Sequence, residues 1–160
     1  MEDERRTISL GFSDQKFHEG QHICYIYNND DERLEIMAKY LKSGMEAKEK
    51  LLYLVDVMTS EKMLDCLNAR GVDFSGAKPN DFVISDAAPA YCPTGYFKTE
   101  EMLDLVKDFY LTAIDEGYAG ARGTCEMSWC LTEGLSTKTD LLVYEASLNN
   151  LLKEYPYTAC

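Results

Sequence analysis

A chain of 160 residues with 46% hydrophobic and 28% charged residues can bury one sizeable core and has an ordinary globular make-up. Its formal net charge of −12 opposes nucleic acid and anionic membrane surfaces, so neither is expected as a direct partner. The polar start Met1–Ile8 has no signal-peptide core, and no stretch nears the ~20 apolar residues of a membrane span, so a cytoplasmic location is expected.

Residues 1–20 read as a polar, extended lead-in. In His22–Tyr27, Ile23, Tyr25 and Tyr27 alternate with Cys24 and Ile26, which predicts a strand apolar on both faces and buried in a parallel sheet. A helix follows, with Leu34, Met37, Ala38, Leu41 and Met45 on one stripe and Gly44 near its end. The outline resembles a nucleotide-binding strand–loop–helix unit without its phosphate loop. Asn28–Arg33 holds no glycine to bare backbone N–H groups, and Asp30, Asp31 and Glu32 repel phosphate. The acids read as solvated helix-start residues favoured by the helix dipole.

Leu51–Val55 is the next buried strand, and Ser60 is positioned to cap a helix carrying Met63, Leu64 and Leu67 as far as Gly71. Asp81–Asp86 is a third strand, followed by a loop to Phe97 with two prolines and a glycine. Thr99 is expected to cap a helix with Met102, Leu103, Val106, Tyr110, Ala113 and Ile114 on one face. A fourth strand is expected within Ala119–Met127. Thr137 and Asp140 have capping-box spacing before a helix at about 139–154. Residues 156–160 read as the start of another strand, so the chain is expected to be truncated there. The alternation of strands and helices predicts one α/β domain over 1–160, a three-layer sandwich around a mostly parallel sheet.

Ligands of such sheets bind at the carboxyl ends of the strands. That rule selects Tyr27, Asn28, Asp56, Tyr91, Tyr96, Glu126 and Trp129 as candidate ligand-binding residues, an aromatic set with few carboxylates, as suits a small organic molecule. Core and loop packing is the competing role for each aromatic. Glu145 shares the apolar stripe of the last helix with Leu141, Leu148 and Leu152. A buried carboxylate needs a partner, and Arg122 is the expected one, as a brace between helix and sheet or with one of the pair reaching the ligand. His22 is expected to be a hydrogen-bonded structural residue. The cysteines at 24, 66, 92, 125, 130 and 160 include no C-x-x-C pair and read as small apolar side chains. No metal or cofactor is expected, and no catalytic constellation is readable.

Gly20-x-His22-x-Cys24-x-x-Tyr27, Leu41-x-x-Gly44-Met45-Glu46, Arg122-Gly-x-x-Glu126-Met-x-Trp129, Tyr144-Glu145 and Ala159-Cys160 together resemble the MEDS domain, the sensory domain shared by methanogens, methylotrophs and the dichloromethane-responsive regulator. The resemblance covers nearly the whole chain. It implies a non-enzymatic sensory domain, degenerate relative of KaiC/RecA-like ATPases, that binds a small, largely apolar ligand such as a hydrocarbon derivative. It also implies an output module, a histidine kinase or DNA-binding domain, and homo-oligomers are compatible with it. Laid over such an ATPase, Arg33 stands at the P-loop lysine and Leu34 at the metal-binding hydroxyl. A thiol- or metal-based sensor using Cys24, Cys125, Cys130 and the histidines is the first alternative, and residual nucleotide binding the second.

Overall fold

The computed structural model describes residues 5–160 apart from Pro79, so the first residues of the lead-in lie outside the described residues. Four parallel strands make the central sheet: β3 (Glu49–Val55), β4 (Phe82–Asp86), β5 (Gly120–Cys125) and β6 (Thr158–Ala159), in the order β4-β3-β5-β6. Helices α1 (Asp30–Glu46) and α2 (Ser60–Ala69) cover one face, and α3 (Ala87–Tyr91), α4 (Thr99–Asp115) and α5 (Lys138–Glu154) the other. The central strand β3 is buried throughout because its side chains feed both layers. Leu51, Tyr53 and Val55 pack with Met37, Leu41, Met63 and Leu67, whereas Leu52 and Leu54 pack with Met102, Val106, Tyr144 and Leu148.

The helix starts follow local chemistry. Asn29 caps α1 by accepting from the Glu32 amide at 2.9 Å, and the acidic first turn suits the positive end of the helix dipole. Thr137 and Asp140 form the expected reciprocal capping box of α5. Two expected caps shift: Thr59, not Ser60, caps α2, and Thr99 is already helical, with Lys98 before it making no side-chain capping bond. The region expected to be a plain loop before Phe97 holds α3, whose Pro89 sits in the first turn, where a missing N–H costs nothing. Gly44 is not a terminator. It lies inside α1 where a Cβ would crowd the Leu51 and Arg122 side chains at 2.6 and 2.8 Å, so its absence lets the helix seat closely on the sheet.

Two sequence expectations fail. The lead-in is not a bare extended segment, because β1 (Thr7–Ser9) and β2 (Lys16–His18) pair as an antiparallel hairpin that buries Ile8 and Leu10 in the α1 layer. The stretch 22–27 is not a buried strand. It makes one bridge, His22 to Ala159, with Ile23 donating to the Ala159 carbonyl at 2.8 Å; Cys24 is exposed and Ile26 is 84% exposed. Its neighbour β6 spans only two residues and so offers no longer ladder.

The expected Arg122–Glu145 pair is also corrected. Arg122 is fully buried, but its Nε donates to Glu49 at the start of β3, and its other nitrogens donate to the carbonyls of Tyr40 (3.0 Å) and Ser9 (3.1 Å). The Tyr40 ring lies 4.9 Å from the guanidinium. Glu145 is turned away from the core, half exposed, and meets His22 instead. Arg6, from the hairpin, bridges Glu19 and Glu49, so the hairpin is tied to the same charge cluster. Glu49→Ala strands the Arg122 guanidinium and is expected to cost ~3–5 kcal/mol in urea unfolding, whereas Glu145→Ala should cost under ~1 kcal/mol, as exposed pairs do. Equal losses would contradict this assignment.

Candidate functional site

Glu126 stands directly after β5, at the carboxyl end of the sheet. Its carboxylate accepts from Arg33 Nη1, from the Tyr53 hydroxyl at 2.9 Å, and from the backbone N–H groups of Asp56 and Val57 at 2.6 and 2.7 Å. An ionised carboxylate offers about four lone-pair sites, and all are used. Arg33 is buried and also meets Asp30 at 3.3 Å and Tyr53 at 3.2 Å. Burial lowers the Arg33 pKa, but Tyr53, Glu126 and Asp30 outweigh it and the net shift is upward. Burial, then the neighbouring Glu126, raises the Tyr53 hydroxyl, which remains a protonated donor. The paired N–H groups after β3 could cradle an external anion. They hold the chain's own carboxylate.

A cavity of about 430 Å³ adjoins this hub. The segment 22–27 forms one wall and α5 another, the end of β5 contributes Thr124 and Cys125, and Met37 and Met102 reach in from opposite layers. Of the residues singled out from sequence, His22, Tyr27, Tyr91, Glu126 and Glu145 line it. The others face elsewhere. Asn28 donates to Glu32, Asp56 accepts from Ser128 at 2.6 Å, and Tyr96 donates to Asp140 at 2.7 Å. Trp129 is buried and stacks on Tyr91 at 4.7 Å, so it backs the cavity wall instead of forming it. Arg122 belongs to the amino end of the sheet, where β3 and β5 begin.

Sequence reasoning missed Arg33, Tyr53, Tyr144 and Tyr157 as lining residues. Arg33 left a signal: with Met37, Leu41 and Gly44 it falls on the buried face of α1 at helical spacing. Tyr53 and Tyr157 left none, since an aromatic in a strand gives no hint of what its hydroxyl meets.

At the outer wall His22 joins the loose segment to α5. Its Nε2 lies 3.1 Å from Glu145 and its Nδ1 3.0 Å from the Asn149 side-chain oxygen. With acceptors on both nitrogens the doubly protonated ring is favoured, and the His22 pKa is raised, chiefly by the hydrogen bond to Glu145. The thiols behave otherwise. Burial pushes Cys125 up to about 11 and Cys160 up to about 12, so both are protonated and weakly nucleophilic at neutral pH. Among the described residues no set of three or more His, Cys, Asp or Glu side chains is grouped to hold a metal ion, and no helix is long and apolar enough to cross a membrane.

The fold and cavity define a three-layer α/β domain with a small-molecule-sized chamber at its strand ends. Residues 21–160 match the MEDS family, described as the MEthanogen/methylotroph, DcmR Sensory domain, and the chain belongs to that family of sensory domains. Comparison with curated proteins gives no match.

A raised folded-state pKa for His22 fixes a sign. The His22–Glu145 contact contributes fully below the ordinary histidine value of 6.5 and fades as pH rises through the higher folded value. NMR titration should place the His22 midpoint above 6.5, and Glu145→Gln should lower it. A midpoint unmoved by that substitution would show that the contact does not form.

Proposed function

We propose that this sensory domain detects a small, largely apolar organic molecule held in the cavity beside Glu126, without catalysing its conversion. The observation that carries the reading is the cavity's make-up: about 430 Å³ walled by Tyr27, Tyr91, Tyr144, Met37, Met102 and Leu148, with its charged groups already paired. Nucleotide is a poorer fit. The first turn of α1 is Asp30, Asp31 and Glu32, and the N–H pair after β3 is occupied by Glu126.

The segment 22–27 is the movable element in this reading. It joins the sheet by a single bridge to β6 and is otherwise held by side chains: His22 to α5, the Tyr25 hydroxyl to Glu32 at 2.9 Å, and Tyr27 beside Arg33. A ligand can shift a conformational equilibrium only through contacts that differ between two states, and this wall is the part able to differ. The shift then passes to a fused or partner output module, such as a histidine kinase or DNA-binding domain, in the cytoplasm.

The test uses N-phenyl-1-naphthylamine, an uncharged dye that brightens in apolar surroundings. Saturable brightening is expected with the wild-type domain. Cys24→Trp should weaken it roughly 10-fold, which is about 1.4 kcal/mol, because Cys24 is exposed at the cavity wall and tolerates bulk. Unsaturable binding, or equal affinity in a folded Cys24→Trp variant, would contradict the assignment.

A further inference from the structure

Strand β6 lies between two backbones. On one side Arg122 and Gly123 of β5 pair with Thr158 and Ala159, and on the other His22 pairs with Ala159. The segment 22–27 and the end of β5 are therefore two strand spacings apart, about 10 Å. β6 stops after Ala159, and the last bond it receives from β5 runs from the Cys125 N–H to the Cys160 carbonyl. The two flanking backbones run on, as residues 23–27 on one side and 125–127 on the other. The cavity is lined by both and occupies the space between them, one strand wide.

The segment keeps a strand's alternation. The Tyr25 and Tyr27 rings lie on one side, 6.2 Å apart, and Ile23 and Tyr25 pack in the α1 layer, whereas Cys24 and Ile26 are exposed. Gln21 and Ile23 aim their backbone groups at β6. The Gln21 carbonyl accepts from the Ala159 N–H, and the Ile23 N–H donates to the Ala159 carbonyl, both at 2.8 Å. In an extended chain every second residue repeats that direction. The Ile23 carbonyl and the N–H groups of Tyr25 and Tyr27 therefore face the cavity, and none of them makes a hydrogen bond among the described residues. Backbone groups are obligatory hydrogen-bonding groups, and a strand edge left bare is a template for a further extended chain. The charges that line the cavity are already matched: Arg33 by Glu126 and Asp30, and Glu145 by His22. An ionised ligand would have to break one of these pairs or go unpaired in an apolar chamber.

We infer that the molecule sensed is an uncharged secondary amide, a short N-acylated apolar residue held extended, whose N–H donates to the Ile23 carbonyl and whose C=O accepts from the Tyr25 N–H. Its hydrocarbon parts fill the aromatic and thioether walls. Main-chain bonds that add an extended amide to a sheet edge, with side-chain pockets beside them, are a general mode of peptide recognition. The inference rests on the pocket assignment above and adds the chemical class of the ligand and the backbone groups that read it.

The probes are N-acetyl-leucine N-methylamide, its ester analogue with oxygen in place of the leucine N–H, and N-acetyl-leucine, whose free carboxylate is charged. Each is titrated into the wild-type domain and followed by amide NMR, so the protein itself is left unchanged. The neutral amide is expected to bind saturably, to move the Tyr25 amide proton downfield and to slow its exchange with solvent, which should be fast in the free domain. The ester should bind roughly 5-fold more weakly, the worth of one net hydrogen bond. The acid should not bind in the range where the neutral amide does. Equal affinity for the ester, equal affinity for the acid, a Tyr25 amide unmoved at saturation, or slow exchange of that amide in the free domain would overturn the inference. If no probe binds while N-phenyl-1-naphthylamine still brightens saturably and Cys24→Trp weakens it, the amide class is wrong and the pocket stands. If the dye fails as well, the pocket assignment falls and takes this inference with it.

Discussion

The carboxylate of Glu126 is the constraint on which the cavity end of this domain depends. It binds two backbone amides from the turn after β3, a tyrosine hydroxyl from within β3, and the guanidinium of Arg33 from α1. Removing it would leave the buried Arg33 only the 3.3 Å contact with Asp30 and the Tyr53 hydroxyl, and would take the acceptor from two amides, a cost above that of a surface contact. Because all its acceptor sites are used, it is a poor general base or metal ligand as it stands. Its consequence is architectural: the end of β5, the end of β3 and the start of α1 are held in one arrangement, and the cavity beside them keeps its shape.

The opposite end of the sheet is braced by the same chemistry. Arg122 of β5 meets Glu49 of β3, and Arg6 of the hairpin joins them. The sheet is therefore pinned at both ends by buried guanidinium–carboxylate pairs, while its middle is plain hydrocarbon packing. The wall 22–27 lacks such bracing. One backbone bridge and the His22–Glu145 contact tie it to β6 and α5, and Tyr25 and Tyr27 tie it to Glu32 and Arg33 of α1.

The order of elements and the parallel sheet were legible in the sequence, because helical stripes such as Met102–Val106 and the run Leu51–Val55 report burial directly. The MEDS resemblance was legible from motif order and is borne out by the match over residues 21–160. What failed was pairing. Arg122 and Glu145 each needed a partner, and periodicity named the wrong one, since it cannot say which carboxylate lies opposite a given strand position. Glu49, in a strand start, and His22, on an irregular wall, were the partners. The alternation in 22–27 misled because an apolar cavity wall has the composition of a strand without its ladder. Trp129 was read as a pocket residue and stands one layer behind it, against Tyr91.

The central claim, a ligand-accepting apolar cavity joining both layers at the strand ends, is tested most directly by methionine methyl NMR under xenon pressure. Xenon enters dry apolar cavities without needing a chemical handle. Of the 7 methionines, Met37, Met102 and Met127 line the cavity, while Met45, Met58 and Met63 pack elsewhere. The account predicts saturable shifts of the first three methyl signals and none of the second three. Shifts spread evenly over all six, or confined to Met45, Met58 and Met63, would contradict it.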